Sequence, residues 1–189
     1  INVCNDRSMA SITSLPSGVS GSSLVLLETQ TASGDGTLDF TSGIDSTYKE
    51  YQFHFTDIHP ASGSNFTFQA DTGTNTNYNI TMTTTSVQAY HTENDSSSGV
   101  AYKTSTDQAQ GTGFQILTIN ELSAENDGSM SGTLTVFDPS SSTFVKHFIA
   151  NTIHANNSGA SPTNQQHNLI AGYFNTTTAL TRVQFKMSS

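Results

Sequence analysis

Hydrophobic and polar positions alternate with a period of two in several short runs, and the clearest lies at residues 48–60. There Tyr51, Phe53 and Phe55 alternate with Gln52, His54 and Thr56. That spacing puts three aromatic rings on one face of a strand and the polar groups on the other. One face needs a dry core and the other tolerates water. Pro60 has no amide hydrogen to give to a ladder, so the strand should end there. The pattern predicts that this stretch is the central strand of a β-sandwich.

Other runs repeat the alternation. Leu38 and Phe40 flank Asp39. Phe66, Phe68 and Ala70 alternate with Thr67 and Gln69, and Tyr78, Ile80 and Met82 with Asn79 and Thr81. Met130, Gly132, Leu134 and Val136 alternate with Ser131, Thr133 and Thr135, while Val183, Phe185 and Met187 mark the inward face of 180–187. Strands are also predicted at 114–120, 144–153 and 169–174. Residues 24–30 differ, because Leu24, Val25, Leu26 and Leu27 follow one another. An uninterrupted apolar run predicts a first strand covered on both faces.

Turn residues separate these runs. Gly34-Asp35-Gly36, Ser62-Gly63-Ser64 and the cluster 71–77 are three such places, and Asp138-Pro139-Ser140 predicts the most secure hairpin, joining the run ending at Val136 to 144–153. Residues 86–91 read either as a strand continuation or as one helical turn. Residues 92–99 are polar, and 100–113 and 156–167 read as long loops, which in a compact domain are usually functional or mobile. The sum is about nine or ten short strands without a convincing helix, an all-β antiparallel β-sandwich with a jelly roll as the expected topology.

Composition narrows the partners. Of 189 residues 33% are hydrophobic and 11% charged, with 11 Phe and 6 Tyr. Disordered chains usually carry more charge and fewer aromatics. The net charge of −9 argues against nucleic acid and against anionic lipid, both of which call for clustered Lys and Arg. Cys4 is the only cysteine, so no internal disulfide can staple the fold. Residues 1–22 hold small polar residues with Pro16 and Gly18 and follow neither period. They predict an extended arm or linker before a sandwich domain at 23–189. Ile12, Leu15 and Val19 suit either packing against a neighbouring chain or a plain tether. A start at Ile1 suggests a fragment, a processed product or only the ordered part of a longer protein.

Candidate chemistry is sparse. His91, Glu93 and Asp95 occupy alternate positions and, if extended, would share one face with the donor types of a divalent cation. The plainer reading is a polar loop, and neither a metal nor a cofactor is expected. With Tyr90 and Tyr102 these residues form the candidate binding set, since tyrosines near loops stack on sugars or partner proteins. Tyr48 and Tyr173 lie in similar settings. His54, Asp57 and His59 cluster near the aromatic strand, but His54 and Asp57 have opposite parity. His147, His154 and His167 could meet only through the fold. Glu121, Glu125, Asp127 and Asp138 could supply the facing carboxylates of a glycosidase only if the fold opposed two of them across a cleft. No nucleophile elbow and no phosphate loop is present. Five Asn-x-Ser/Thr matches are expected by chance in a chain so rich in these residues.

Several segments taken together resemble a known group: 23–33, beginning Ser-Leu-Val-Leu-Leu; 39–48, Asp-Phe-Thr-Ser-Gly-Ile-Asp-Ser-Thr-Tyr; 55–61, Phe-Thr-Asp-Ile-His-Pro-Ala; 137–144, Phe-Asp-Pro-Ser-Ser-Ser-Thr-Phe; and 183–189, Val-Gln-Phe-Lys-Met-Ser-Ser. The group is the virion structural proteins of tailed bacteriophages, frequent in marine phage genomes and labelled tail-fibre-like or structural. The resemblance covers about residues 23–189 and supplies no catalytic residues. It implies a non-enzymatic virion component on the particle surface, a fibre or spike tip or a head decoration. The implied partners are other virion proteins, copies of the chain in a homotrimer or other homo-oligomer, and a host surface glycan. A carbohydrate-binding module is the alternative, and a polysaccharide-degrading enzyme ranks last.

Overall fold

The structure, a computed structural model, describes residues 24–126, 128–156 and 163–188. The chain divides into two units, Ile1–Thr31 and Ala32–Ser189. Residues 1–23, which include Cys4 and the expected arm, lie outside the described residues, as does Asp127.

Ten strands are described: β1 (Leu38–Phe40), β2 (Glu50–Ile58), β3 (Phe66–Thr72), β4 (Met82–Thr92), β5 (Ser98–Tyr102), β6 (Gln115–Ile116), β7 (Met130–Phe137), β8 (Lys146–Asn156), β9 (Asn164–Phe174) and β10 (Leu180–Met187). No helix occurs among the described residues. Neighbouring strands pair antiparallel in two sheets, one ordered β1-β10-β3-β6 and the other β2-β7-β8-β9-β4-β5. The protein is an antiparallel β-sandwich, as the alternation predicts.

The inward faces meet in an aromatic core. Phe185 on β10 is its hub, with ring centroids 5.2 Å from Phe53, 5.2 Å from Phe55, 5.7 Å from Phe66 and 5.9 Å from Phe40. Phe68 meets Phe148 edge-on at 5.0 Å. Edge-to-face contacts suit the ring quadrupoles and add to the gain from burial. Two glycines make room for this packing. A Cβ on Gly172 would lie 2.6 Å from Thr84 Cγ2 and 2.9 Å from Phe148 Cζ, and one on Gly132 would lie 2.7 Å from Thr152 Cα.

The aromatic strand is correct in its faces and wrong in its place. Tyr51 and Phe55 are buried and Phe53 is half-buried, while Gln52, His54 and Thr56 are exposed. Yet β2 is an edge strand, not the central one. It ends in a bulge, where the register with β7 shifts between Phe55 and Ile58 and Asp57 adopts a φ of +51°. Bulges of this kind are common at edges.

The apolar run 24–30 is not a strand. Leu24, Val25, Leu26 and Leu27 are 58%, 58%, 82% and 50% exposed. A continuous apolar run fits burial on both sides, but it does not say what covers it.

Several other expectations change in the details. β3 is buried on both faces, because loops cover its polar side. Gln69 donates to the carbonyls of Ile80, Thr112 and Gly113 at 3.0–3.2 Å, and Asp71 accepts from the amide of Tyr78 at 2.8 Å. Tyr78, expected in a strand, has a φ of +46° and sits in that covering loop. The strand begins only at Met82 and runs unbroken through 86–91. The expected strand at 114–120 shrinks to Gln115 and Ile116. The long loop 100–113 loses its start to β5, and 156–167 loses both ends to β8 and β9. The hairpin at Pro139 forms as expected, with Val136 opposite Phe148.

Candidate binding surfaces

The five residues singled out by sequence lie on or beside the β4–β5 hairpin, but they do not converge. Tyr90 pairs with Gly99, and Val87 pairs with Tyr102. Side chains alternate along a strand, so Tyr90 falls on the inward side of the sheet and Tyr102 on the outward side. The Tyr90 hydroxyl lies 3.1 Å from Ser97 Oγ. The Tyr102 hydroxyl donates to Asp107 at 2.5 Å, and that bond raises its pKa above the ordinary tyrosine value. The segment 91–95 is not extended. Asp95 takes a φ of +58° in the turn, which brings its carboxylate 3.1 Å from His91 Nε2. The backbone amide of Glu93 donates to the carbonyl of Thr163. Among the described residues, no three of His, Cys, Asp and Glu are grouped as a cation would require.

The other combinations come apart by parity and distance. His147 and His167 point outward from β8 and β9, whereas His154 points inward. His167 Nε2 contacts Asn151 Oδ1 at 2.6 Å. Asp138 lies beyond the end of β7 and pairs with Lys49 at 2.9 Å. Glu121 and Glu125 precede the other end of that strand. His59 Nε2 lies 3.0 Å from the carbonyl of Glu125, a loop contact away from His54.

A groove of about 670 Å³ opens beside the segment 103–123, which carries β6 at the edge of the smaller sheet. It is lined by the half-buried Ile116 and Lys103 and the exposed Asn120 and Glu121, with Ile119 and Leu122 buried behind them. Sequence reasoning missed this groove, because its rim is drawn from segments far apart in the chain.

Asn120 links the groove to an unusual interior. Its amide donates to Gln166 Oε1 at 3.0 Å, and the same oxygen accepts from Gln88 at 2.5 Å. Beside them Asn168 donates to Thr152 Oγ1 at 3.3 Å and to His154 Nδ1 at 3.1 Å. Gln88, Gln166, Asn168, Thr152 and His154 are all buried. Burial pushes the His154 pKa down to about 4, so the ring is neutral at pH 7. With Nδ1 accepting, the proton sits on Nε2. That atom and Asn168 Oδ1 are buried without a hydrogen-bond partner among the described residues.

Two further polar groups, one buried and one half-buried, escaped the sequence reading. Lys146 opens β8 fully buried, donates to the carbonyl of Thr176 at 3.1 Å, and has its pKa lowered by that burial, with Asp138 opposing. On the smaller sheet Asp39 accepts from Tyr78, Gln184 and Thr37 at 2.7–2.8 Å. Burial works to raise the Asp39 carboxyl, but those bonds and the charge of Arg182 bring it below its usual value. Burial, and then Asp39, push the Tyr78 hydroxyl up to about 12. Both groups pin loops to the sandwich.

The polar interior has a counterpart outside. Where Ser86, Gln88, Thr152, His154, Gln166 and Asn168 face inward, the alternate residues Val87, Ile153 and Leu169 face outward. Ile149, Ile153, Leu169 and Val100 are 44%, 49%, 46% and 74% exposed. The register aligns them across the sheet: Ile153 lies opposite His167, Leu169 opposite Val87, Val87 opposite Tyr102, and Ala89 opposite Val100. In this half of the sheet the inner face is polar, and the outer face mixes apolar residues with the neutral polar Thr85, Asn151 and His167. Not one outward position of β7, β8, β9, β4 or β5 is Asp, Glu, Lys or Arg.

Compared with protein-family models, with curated proteins and with solved structures, the chain finds no match in any of the three.

Proposed function

We propose that this chain is a non-enzymatic structural protein of a tailed-phage particle. Its sandwich would project from the surface as a fibre or spike tip or as a head decoration, in contact with other virion proteins. The observation that carries this reading is the half of the six-stranded sheet whose inner face is polar. It pairs an interior tied by amide hydrogen bonds with a broad outer face free of formal charge. Such a face suits packing against another protein better than turning over a substrate. The virion setting itself rests on the sequence resemblance.

The strand order supports a jelly roll as the finer description. If β7, β8 and β9 are treated as one strand, the sheets read β1-β10-β3-β6 and β2-β7-β4-β5. That is the order of an eight-stranded double Greek key with its seventh strand expanded into a meander. Three antiparallel strands leave the first and last running the same way, so the insertion preserves the pairing with β2 and β4.

The test is purified virions. A reconstruction should place the sandwich on the particle surface, on icosahedral axes for a decoration or at the tail for an adhesin. Particles that lack the chain by peptide mass analysis would overturn the reading.

A second reading, glycan binding, is favoured by the groove, where Asn120, Lys103 and Glu121 offer an amide and charges to sugar hydroxyls beside the half-buried Ile116. A glycan array should then give hits that Asn120→Ala weakens. An array without hits, or hits that neither Asn120→Ala nor Tyr102→Ala alters, would remove it.

A further inference from the structure

We infer that the outer face of the six-stranded sheet, centred on Leu169, Ile153, Val87 and Val100, is the surface on which a second copy of this chain packs. The inference goes beyond the virion reading and is tested on purified protein, apart from any particle.

The polarity is the first argument. Side chains in a strand alternate with a period of two, so a slip of one residue would bury Ile153, Leu169 and Val87 and expose Gln88, Gln166 and Asn168. The fold keeps the opposite register, fixed by Phe148, Ile170 and Phe174 farther along the same strands, which are fully buried. The apolar side chains are thus left outside by construction, interspersed with the neutral polar Asn151 and His167, and exposed apolar residues gathered on one face mark an interaction surface.

Charge selects the occupant. Each copy carries a net −9, so two copies repel unless they meet where carboxylates are absent. The outward positions of β7, β8, β9, β4 and β5 hold none. The nearest acids stand at the rim: Glu50 on the edge strand β2, Asp95 in the hairpin turn, and Asp107 under the Tyr102 hydroxyl. An uncharged centre with a polar rim is the layout of a protein–protein interface. A basic partner would be drawn to acidic surface instead.

The size is sufficient. β8, β9 and β4 each have 11 residues. β7 adds 8 residues and β5 adds 5, and at about 3.3 Å per residue and about 4.8 Å between strands the five strands present on the order of 700 Å². Stable interfaces bury about 600–1,000 Å² per partner, and the face lies within that range.

Sedimentation velocity on the full chain tests the inference. The wild type should associate in the micromolar range, and Leu169→Asp should weaken association by at least about 100-fold, because like charges then face each other at the centre. The far-UV spectrum should not change, since Leu169 is half exposed. Val100→Asp, on the edge strand and more exposed still, should act in the same direction and decides the matter if Leu169→Asp misfolds. Raising salt from about 50 to about 500 mM should tighten association by screening the rim acids. A wild type that stays monomeric at about 100 µM, well above a micromolar constant, would overturn the inference. So would association that survives both substitutions, or association lost only in Leu26→Asp.

Discussion

The two ends of the sandwich interior are built from different materials. Around Phe185 the sheets meet through rings and aliphatic side chains, and every inward position on β2 and β10 that reaches the core is apolar. Around His154 they meet through amides and hydroxyls. The aromatic end gains mainly by removing apolar area from water, a gain without direction that tolerates small shifts. The amide end gains little net from each hydrogen bond and loses the full desolvation cost of any group left unpaired. The first end therefore supplies stability, and the second fixes where the loop 103–123 and the strands β4, β8 and β9 sit. The difference also explains the outer surface, because polar residues that face inward leave their apolar neighbours facing out.

The largest expected effect is at the aromatic end. Phe185→Ala removes a ring that touches rings on both sheets and should cost about 3–5 kcal/mol. Chemical denaturation would read this as a fall in midpoint with an unchanged slope. Phe53→Ala, at a half-buried position on an edge strand, should cost clearly less. Equal losses would mean that β2 is as central to the core as its aromatic alternation first suggests.

The amide end should show itself in pH. The folded state holds the His154 pKa near 4, below the 6.5 of an ordinary histidine. As pH falls, the unfolded chain takes up the proton first, so this contribution is complete above pH 6.5 and is lost progressively down to about pH 4. The loss is roughly 3 kcal/mol, since a tenfold difference in proton affinity between the folded and unfolded chain is worth about 1.4 kcal/mol. Asp39 loses stability in the same direction at still lower pH, because its folded pKa is depressed. Melting temperatures of the wild type and His154→Gln between pH 7 and 4.5 separate the two. If both curves fall in parallel, the imidazole is not buried.

The same contrast decides how much could be read from the sequence. Tyr51, Phe53 and Phe55, Val183 and Phe185, and the Asp138-Pro139 turn were legible, because apolar alternation and turn chemistry act locally. Their place in the sheet was not, since edge or centre depends on which strands pair, and that is settled by residues far away. Gln69, Gln88, Gln166 and Asn168 were illegible for a different reason. An amide alternating along a strand reads as a wet face unless one knows that a loop or a second sheet supplies its partners. Leu169 and Ile153 then look like core. His147, His154 and His167 fell into the same gap, as the phase of β8 and β9 separates them. Of the candidate set, the hairpin brought together only His91 and Asp95. The groove around Asn120 had no local signal at all.

The smallest expected effect tests whether the amide end could have been apolar. Gln166→Leu alone leaves the buried amide of Gln88 without its acceptor and should cost about 1–3 kcal/mol. Replacing Gln88 and Gln166 together by Leu removes donor and acceptor at once and keeps the volume. The double variant should then lie within about 1 kcal/mol of the wild type, since exchanging a matched buried pair for apolar groups is often close to neutral. A double-mutant cycle on denaturation free energies gives the coupling directly. Near-neutrality would mean that the pair contributes position, not stability. It would also predict a change elsewhere, because the Asn120 amide would lose its Gln166 acceptor and hydrogen exchange should quicken in 118–122. A large loss in the double variant would mean instead that these amides stabilise the sandwich as much as the rings do, and the contrast between its two ends would fail.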